Sequence, residues 1–279
     1  MKLHKLIYTA ALCAAALAFA ACNEIDEADR FIYVKPADVK RCVLIEDFTA
    51  QRCVNCPTAA SAIETLQAAY SSDTVIAVGL YCGDLCKLPN GKPYPLYNET
   101  ANWYYEQRGK PSQPALLVDR QNMLNNTSML GTYVTNKLQQ EPSLLLKASC
   151  AYDEASRNVD ITVNAEGLAD VNGNLQVWLV EDGITSFQLM PDGSSNPNYV
   201  HNHVFRATVN DRSGDPISLS LGEPVTRTFT YQLDAEWVAE NMSVVAFVYN
   251  EAGVQQAAKA HVIAAADDDS QQDGAETEE

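Results

Sequence analysis

Cys53-Val54-Asn55-Cys56 sits between two segments of opposite periodicity, and that placement constrains the fold more than any other feature of the chain. Before it, Arg41-Cys42-Val43-Leu44-Ile45-Glu46-Asp47-Phe48 carries four consecutive apolar residues, as a strand buried on both faces does. After it, Ala59, Ile63, Leu66 and Tyr70 recur at helical spacing, with Pro57 suited to the first turn. Two cysteines held between a strand end and a helix start have a chemical consequence. The free backbone N–H groups and the helix dipole stabilise a thiolate there, lowering its pKa to roughly 3.5–7.5. Arg52, next to Cys53, pushes in the same direction. Cys53 is the expected nucleophile and Cys56, one turn deeper, the expected resolving thiol. A C-x-x-C that only braces the chain is the alternative.

The same alternation continues to about residue 141. Residues 74–81 read as a second buried strand, and a Gly/Pro-rich loop spans 83–95. A helix follows over about 98–108, capped by Asn98 and stopped by Gly109. Residues 114–118 read as a third strand, and a helix over about 128–140 stops before Pro142. Strand and helix in strict turn predict an α/β domain over residues 41–141. From 143 to 264 the pattern becomes short alternating strands separated by turns such as Asn172-Gly173, which predicts about seven strands in an immunoglobulin-like β-sandwich. The Pro/Gly/Asn-rich stretch 190–198 reads as an exposed loop.

The N-terminus reads as an export signal over residues 1–21. Lys2, His4 and Lys5 precede an apolar run from Leu6 that is short for a membrane span and ends in Ala20-Ala21. Cys22 follows at once, and small residues ending in cysteine resemble the lipobox of bacterial lipoproteins. That resemblance implies lipidation of Cys22 and a lipid anchor in a membrane. An ordinary secretory signal that happens to precede a cysteine is the alternative. Residues 22–40 form an acidic tether, similar to the surface-export signal of some Gram-negative lipoproteins or simply a solvated linker. Residues 265–279 form an acidic tail. With 36 acidic against 19 basic side chains, a net charge of −17, the chain repels phosphate backbones, which excludes nucleic acid as a partner.

An exported chain is expected to pair its thiols. Once Cys13 and Cys22 are set aside, Cys42, Cys53, Cys56, Cys82, Cys86 and Cys150 remain as disulfide candidates. Cys53 with Cys56 and Cys82 with Cys86 are the close pairs, leaving Cys42 and Cys150 to pair or to stay as buried thiols. A four-cysteine zinc site is the competing use of the two close pairs, disfavoured by an oxidising compartment and the absence of nearby histidine. His201-Asn202-His203 on a strand would place both rings on one face, but with no third ligand in sight it reads as a hydrogen-bonded cluster. No metal and no cofactor is expected.

Asp47-Phe48-Thr49-Ala50-Gln51-Arg52-Cys53-Val54-Asn55-Cys56 resembles the thioredoxin active-site segment, with Asp, Phe, Ala and both Cys at matching spacing. The resemblance implies a thioredoxin-like domain. In it Asp47 is the buried carboxylate that takes a proton from the resolving cysteine, and Pro114, by its order along the chain, is the cis-proline facing the disulfide. Arg52 stands where that family has tryptophan. The lipobox, the Phe48–Pro57 segment and His201–Arg206 together resemble the outer-membrane lipoprotein family named for a mass of about 28 kDa. This implies an outer-membrane location, facing the periplasm or the cell surface. Two functions follow as expectations: thiol–disulfide exchange on exported proteins, or binding of an unknown surface partner, in the manner of an adhesin or receptor, through the β-sandwich.

Overall fold

A computed structural model describes residues 39–263; the signal, Cys22, most of the tether and the acidic tail lie outside the described residues. The four-residue apolar run becomes β1 (Val43–Thr49), buried along its whole length. The chain then turns through the C-x-x-C into α1 (Cys56–Tyr70), which has Pro57 in its first turn and buries Ala59 and Ile63. β2 (Val75–Tyr81) returns parallel to β1, and α2 (Glu99–Gln107) starts where the Asn98 side chain accepts from the Thr100 and Ala101 N–H groups at 2.9 and 3.0 Å. β3 (Ala115–Val118) pairs antiparallel with β1, β4 (Gln121–Leu124) pairs with β3, and α3 (Leu130–Leu138) closes the region. β4 goes unseen in the sequence because Gln121 and Asn122 interrupt any apolar alternation.

From residue 144 the described chain is almost entirely strand. β5 (Leu144–Asp153) and β6 (Asn158–Gly167) form one sheet with β12 (Pro224–Gln232), in the order β12-β6-β5. Their inward residues Leu144, Val159, Ile161 and Val163 pack against Val177 and Leu179 of β7 (Val171–Glu181) and Val244 and Ala246 of β13 (Met242–Asn250). β10 (Val204–Thr208) and β11 (Asp215–Leu219) flank β7 at its two ends, and β14 (Gly253–His261) pairs with β13.

β7 and its neighbours do not form a sheet of their own. A single nine-stranded sheet runs β14-β13-β7-β10-β2-β1-β3-β4, with β11 beside β7, and it crosses from the second region to the first where Val204 pairs with Gly79. A common core follows the sheet across: Trp178, Phe205 and Phe247 pack with Leu44, Phe48, Ile76 and Tyr104. The guanidinium of Arg120 lies over Tyr249 at 4.0 Å and Phe247 at 4.9 Å and pairs with buried Glu46 at 3.3 Å, pinning the same junction.

The expected loop over 190–198 is corrected by the structure. β8 (Ile184–Leu189) and β9 (Ser195–His201) form a separate two-stranded hairpin, and only residues 190–194 turn between them. Its polar residues hid it from a search for apolar alternation, and Pro197 is tolerated because β9 pairs on one side only. With this hairpin and β11 the region holds ten strands where about seven were expected.

Candidate disulfide site

Of the described cysteines, Cys53 and Cys56 are bonded to each other. The bond sits at the entry to α1, where the dipole presents its positive end. Val54, between the two, is 38% exposed, yet Cys53 and Cys56 are each only 3% exposed. What covers them comes from the hairpin. Gln188 Nε2 donates to the Cys53 carbonyl at 3.0 Å, and Leu189 N–H donates to the Gln51 carbonyl at 2.8 Å. The Gln51 side chain answers by donating to Ser186 Oγ and the Phe187 carbonyl at 3.0 and 2.9 Å, while Phe187 stacks on Tyr94. Cys86, Leu96, Tyr81 and Val204 complete the apolar packing around the sulfurs.

Behind the bond lies a small cavity of about 40 Å³ whose lining includes Asp47, Cys56, Tyr81, Gln188, Tyr199 and His201. Strand alternation puts Asp47 and Thr49 of β1 on the same face as their partners Gly79 and Tyr81 of β2. Gly79 lets the two elements approach closely: its N–H donates to the His203 carbonyl at 2.7 Å, and a Cβ there would press on the Tyr81 ring at 3.3 Å. Asp47 Oδ1 has no hydrogen-bond partner among the described residues, and burial pushes the carboxyl up to about 7. Tyr81 Oη meets His201 Nδ1 at 2.7 Å. Burial lowers His201 to about 4, opposed by the nearby Ser186 and Phe187 carbonyls.

The other candidate residues fall as follows. Arg52 is half-buried, its Nη1 donating to the Lys87 carbonyl at 3.1 Å, so its guanidinium serves the loop. The Gln113–Pro114 peptide is cis, and Gln113 Nε2 donates to the carbonyls of Thr49 at 2.9 Å and Cys82 at 3.1 Å. The bridges considered for Cys82 with Cys86 and Cys42 with Cys150 are not formed; all four are free thiols. Cys82 and Cys86 are buried, and burial pushes Cys86 up to about 12, Cys82 higher still and Cys150 to about 11, which leaves them poor nucleophiles. Burial raises Cys42 as well.

His201 ends β9, His203 lies just beyond it, and both residues line the same cavity. The backbone turns at His203, with φ of 57°, and the ring of His203 bonds Asp182 Oδ1 at 3.0 Å. Burial opposes ionisation of Asp182, but the His203 contacts outweigh it and hold that carboxyl down to about 2. Among the described residues no three His, Cys, Asp or Glu side chains converge as a metal site, and no helix is long and apolar enough to cross a membrane. Gln51, Tyr81 and Gln188 were not legible as site residues. The signal that existed was the His-x-His segment, which the sequence placed in a different setting.

A family model described as outer membrane protein Omp28 matches residues 101–265. Of the solved structures, HBP35 of Porphyromonas gingivalis superposes with a TM-score of 0.62 at 18% identity, over 85% of this chain and 80% of that one. A protein of Agrobacterium tumefaciens follows with a TM-score of 0.52 at 16% identity, over 82% and 98%. A domain of the outer membrane lipoprotein Omp28 from Porphyromonas gingivalis is 23% identical over 42% of this chain and 93% of that one, with a TM-score of 0.30. The first two share the fold of this chain. No curated protein matches it. The family match starts after the C-x-x-C, Asp47 and Tyr81 and includes the hairpin.

Proposed function

Because the chain belongs to the Omp28 family of outer membrane proteins, and so is placed at the outer membrane, we propose that its Cys53–Cys56 pair exchanges with the thiols of exported proteins. The observation that carries this is Asp47: a buried carboxyl with one oxygen unpartnered among the described residues, raised to about 7, lining the same cavity as Cys56. A group poised near the working pH is suited to give a proton to one sulfur and take it back. The order β2-β1-β3-β4, with the cysteines between β1 and α1, supports a thioredoxin-like reading of residues 41–141. The packing of the β12-β6-β5 sheet against β7 and β13 supports a sandwich reading of residues 143–264. A lipid on Cys22 supplies the anchor in this proposal. Labelling with a radiolabelled fatty acid checks it, and Cys22→Ser is expected to abolish the label.

The test of exchange is the reduction potential of the pair in the mature chain held in detergent. A value between roughly −120 and −270 mV is expected, together with mixed disulfides to exported proteins that accumulate through Cys53 in a Cys56→Ser variant. A potential below about −300 mV, with the bond reducible only on unfolding, overturns the reading. The 3% exposure of each cysteine favours a second reading, in which the bond braces the turn and the sandwich binds an unknown partner. That second outcome of the same measurement selects it.

A further inference from the structure

The cavity behind the disulfide is lined by two residues that each keep a buried polar atom without a partner. Asp47 Oδ1 and His201 Nε2 both lack a hydrogen-bond partner among the described residues, and both side chains line the same space. The carbonyls of Ser186 and Phe187 lie near the ring, but neither accepts from Nε2 with hydrogen-bond geometry. The space, about 40 Å³, has room for water beside these groups. An unsatisfied buried polar atom costs about 1–3 kcal/mol, so one shared water is worth more here than two bare groups. The ring's other nitrogen is occupied: Tyr81 Oη lies 2.7 Å from Nδ1, and a hydroxyl that donates there leaves the ring proton on Nε2. His201 is 1% exposed and belongs to β9, whereas Asp47 and Cys56 belong to β1 and α1.

Resting on the exchange chemistry proposed above, we propose that His201, oriented by Tyr81, is a positioning residue for the proton that moves between Asp47 and Cys56, donating through one water in the cavity to the Asp47 carboxylate. In the oxidising half-reaction a substrate thiolate bonds Cys53 Sγ and the Cys53–Cys56 bond breaks. Its electron pair goes to Cys56 Sγ, which takes the proton of the Asp47 carboxyl. A second thiolate of the substrate then attacks the substrate sulfur of the mixed disulfide and releases Cys53 as a thiolate. The substrate loses two electrons and the pair gains them. Asp47 is left as a buried carboxylate, and the donor from His201 stabilises that charge until a proton returns.

The titratable groups lining the cavity are Asp47, Cys56, Glu64, Tyr81, Tyr199 and His203, besides His201 itself. The experiment follows single-turnover oxidation of a model peptide dithiol by the mature chain from pH 5 to 9. Rates are normalised to the peptide's thiolate fraction and compared for wild type, His201→Gln and Tyr81→Phe. The acid form of Asp47 is the proton donor, so the wild-type rate falls as pH rises through its pKa. Loss of a donor to the carboxylate raises that pKa, and both variants are expected to fall about one pH unit higher. Urea midpoints confirm folding; Tyr81→Phe keeps the ring and its packing, so it carries the test if His201→Gln is unfolded. Profiles that coincide with an active wild type overturn the positioning role and leave exchange standing. A wild type that oxidises no peptide at any pH overturns exchange, and this role with it.

Discussion

A single carboxyl carries most of the chemical content of this chain. Asp47 keeps its proton to about pH 7 in the folded protein, whereas an unfolded aspartate loses it near its ordinary value of 3.8. Between those values the folded state binds more protons, so stability declines as pH rises through the window and is level above it. Asp47→Asn removes that penalty. The variant is expected to be more stable than wild type at pH 8, by up to about 4 kcal/mol, with the gain vanishing near pH 3; urea unfolding at the two pH values checks it. Arg120 makes the opposite case. Replacing it by Met leaves buried Glu46 without its cation and the aromatic junction without its plug, and is expected to cost about 3–5 kcal/mol in the same measurement. Asp47, Cys53 and Cys56 were legible because one local strand–turn–helix fixes all three. His201 and Gln188 were not: Gln188 reaches Cys53 from 135 residues away, and no periodicity encodes a contact at that separation.

The hairpin β8–β9 decides whether the disulfide meets anything. It belongs to neither larger sheet and is held over the bond by Gln188, Gln51 and Leu189. Its two ends are tied by Asp182 to His203 and by Gly183 N–H to Asn202 Oδ1 at 3.0 Å. An element outside both larger sheets, held mainly by side-chain contacts, opens locally at less cost than the whole molecule unfolds. Gln188→Ala removes a donor shared among the Cys53, Ala50 and Leu189 carbonyls. It is expected to speed dithiothreitol reduction of the native bond about tenfold, the equivalent of roughly 1.4 kcal/mol of easier opening. An unchanged rate would mean that reagents reach the sulfurs by another route. Elements with strong apolar periodicity, such as β1, α1 and β13, lie within a few residues of where the sequence puts them. The hairpin was missed because its ordering comes from polar contacts with a distant loop.

At the scale of the whole molecule, the sequence changes character near residue 142 but the sheet does not end there. β10 and β2 are neighbours, and Trp178, Phe205 and Phe247 share a core with Leu44, Phe48 and Ile76. Cutting the chain at this boundary would expose those aromatic residues on one side and the face of β2 on the other. Residues 143–264 expressed alone are expected to aggregate or to lack a cooperative transition, whereas the mature chain melts in one step; calorimetry of both checks it. The composition shift was readable because each region has its own periodicity. Their fusion was not, since it rests on the bridge between Val204 and Gly79, on backbone bonds such as Val254 N–H to the Asp119 carbonyl, and on side chains that any buried strand carries.

The covering hairpin also sets an order of events in biogenesis. In an export that begins at the N-terminus, as the proposed signal would direct, Cys53 and Cys56 emerge long before Gln188, 135 residues behind Cys53, arrives to close over them. That interval is the period in which an outside oxidant has free access to the pair. Once β8 and β9 have closed, the redox state acquired during passage is sealed in and is exchanged only as often as the hairpin opens.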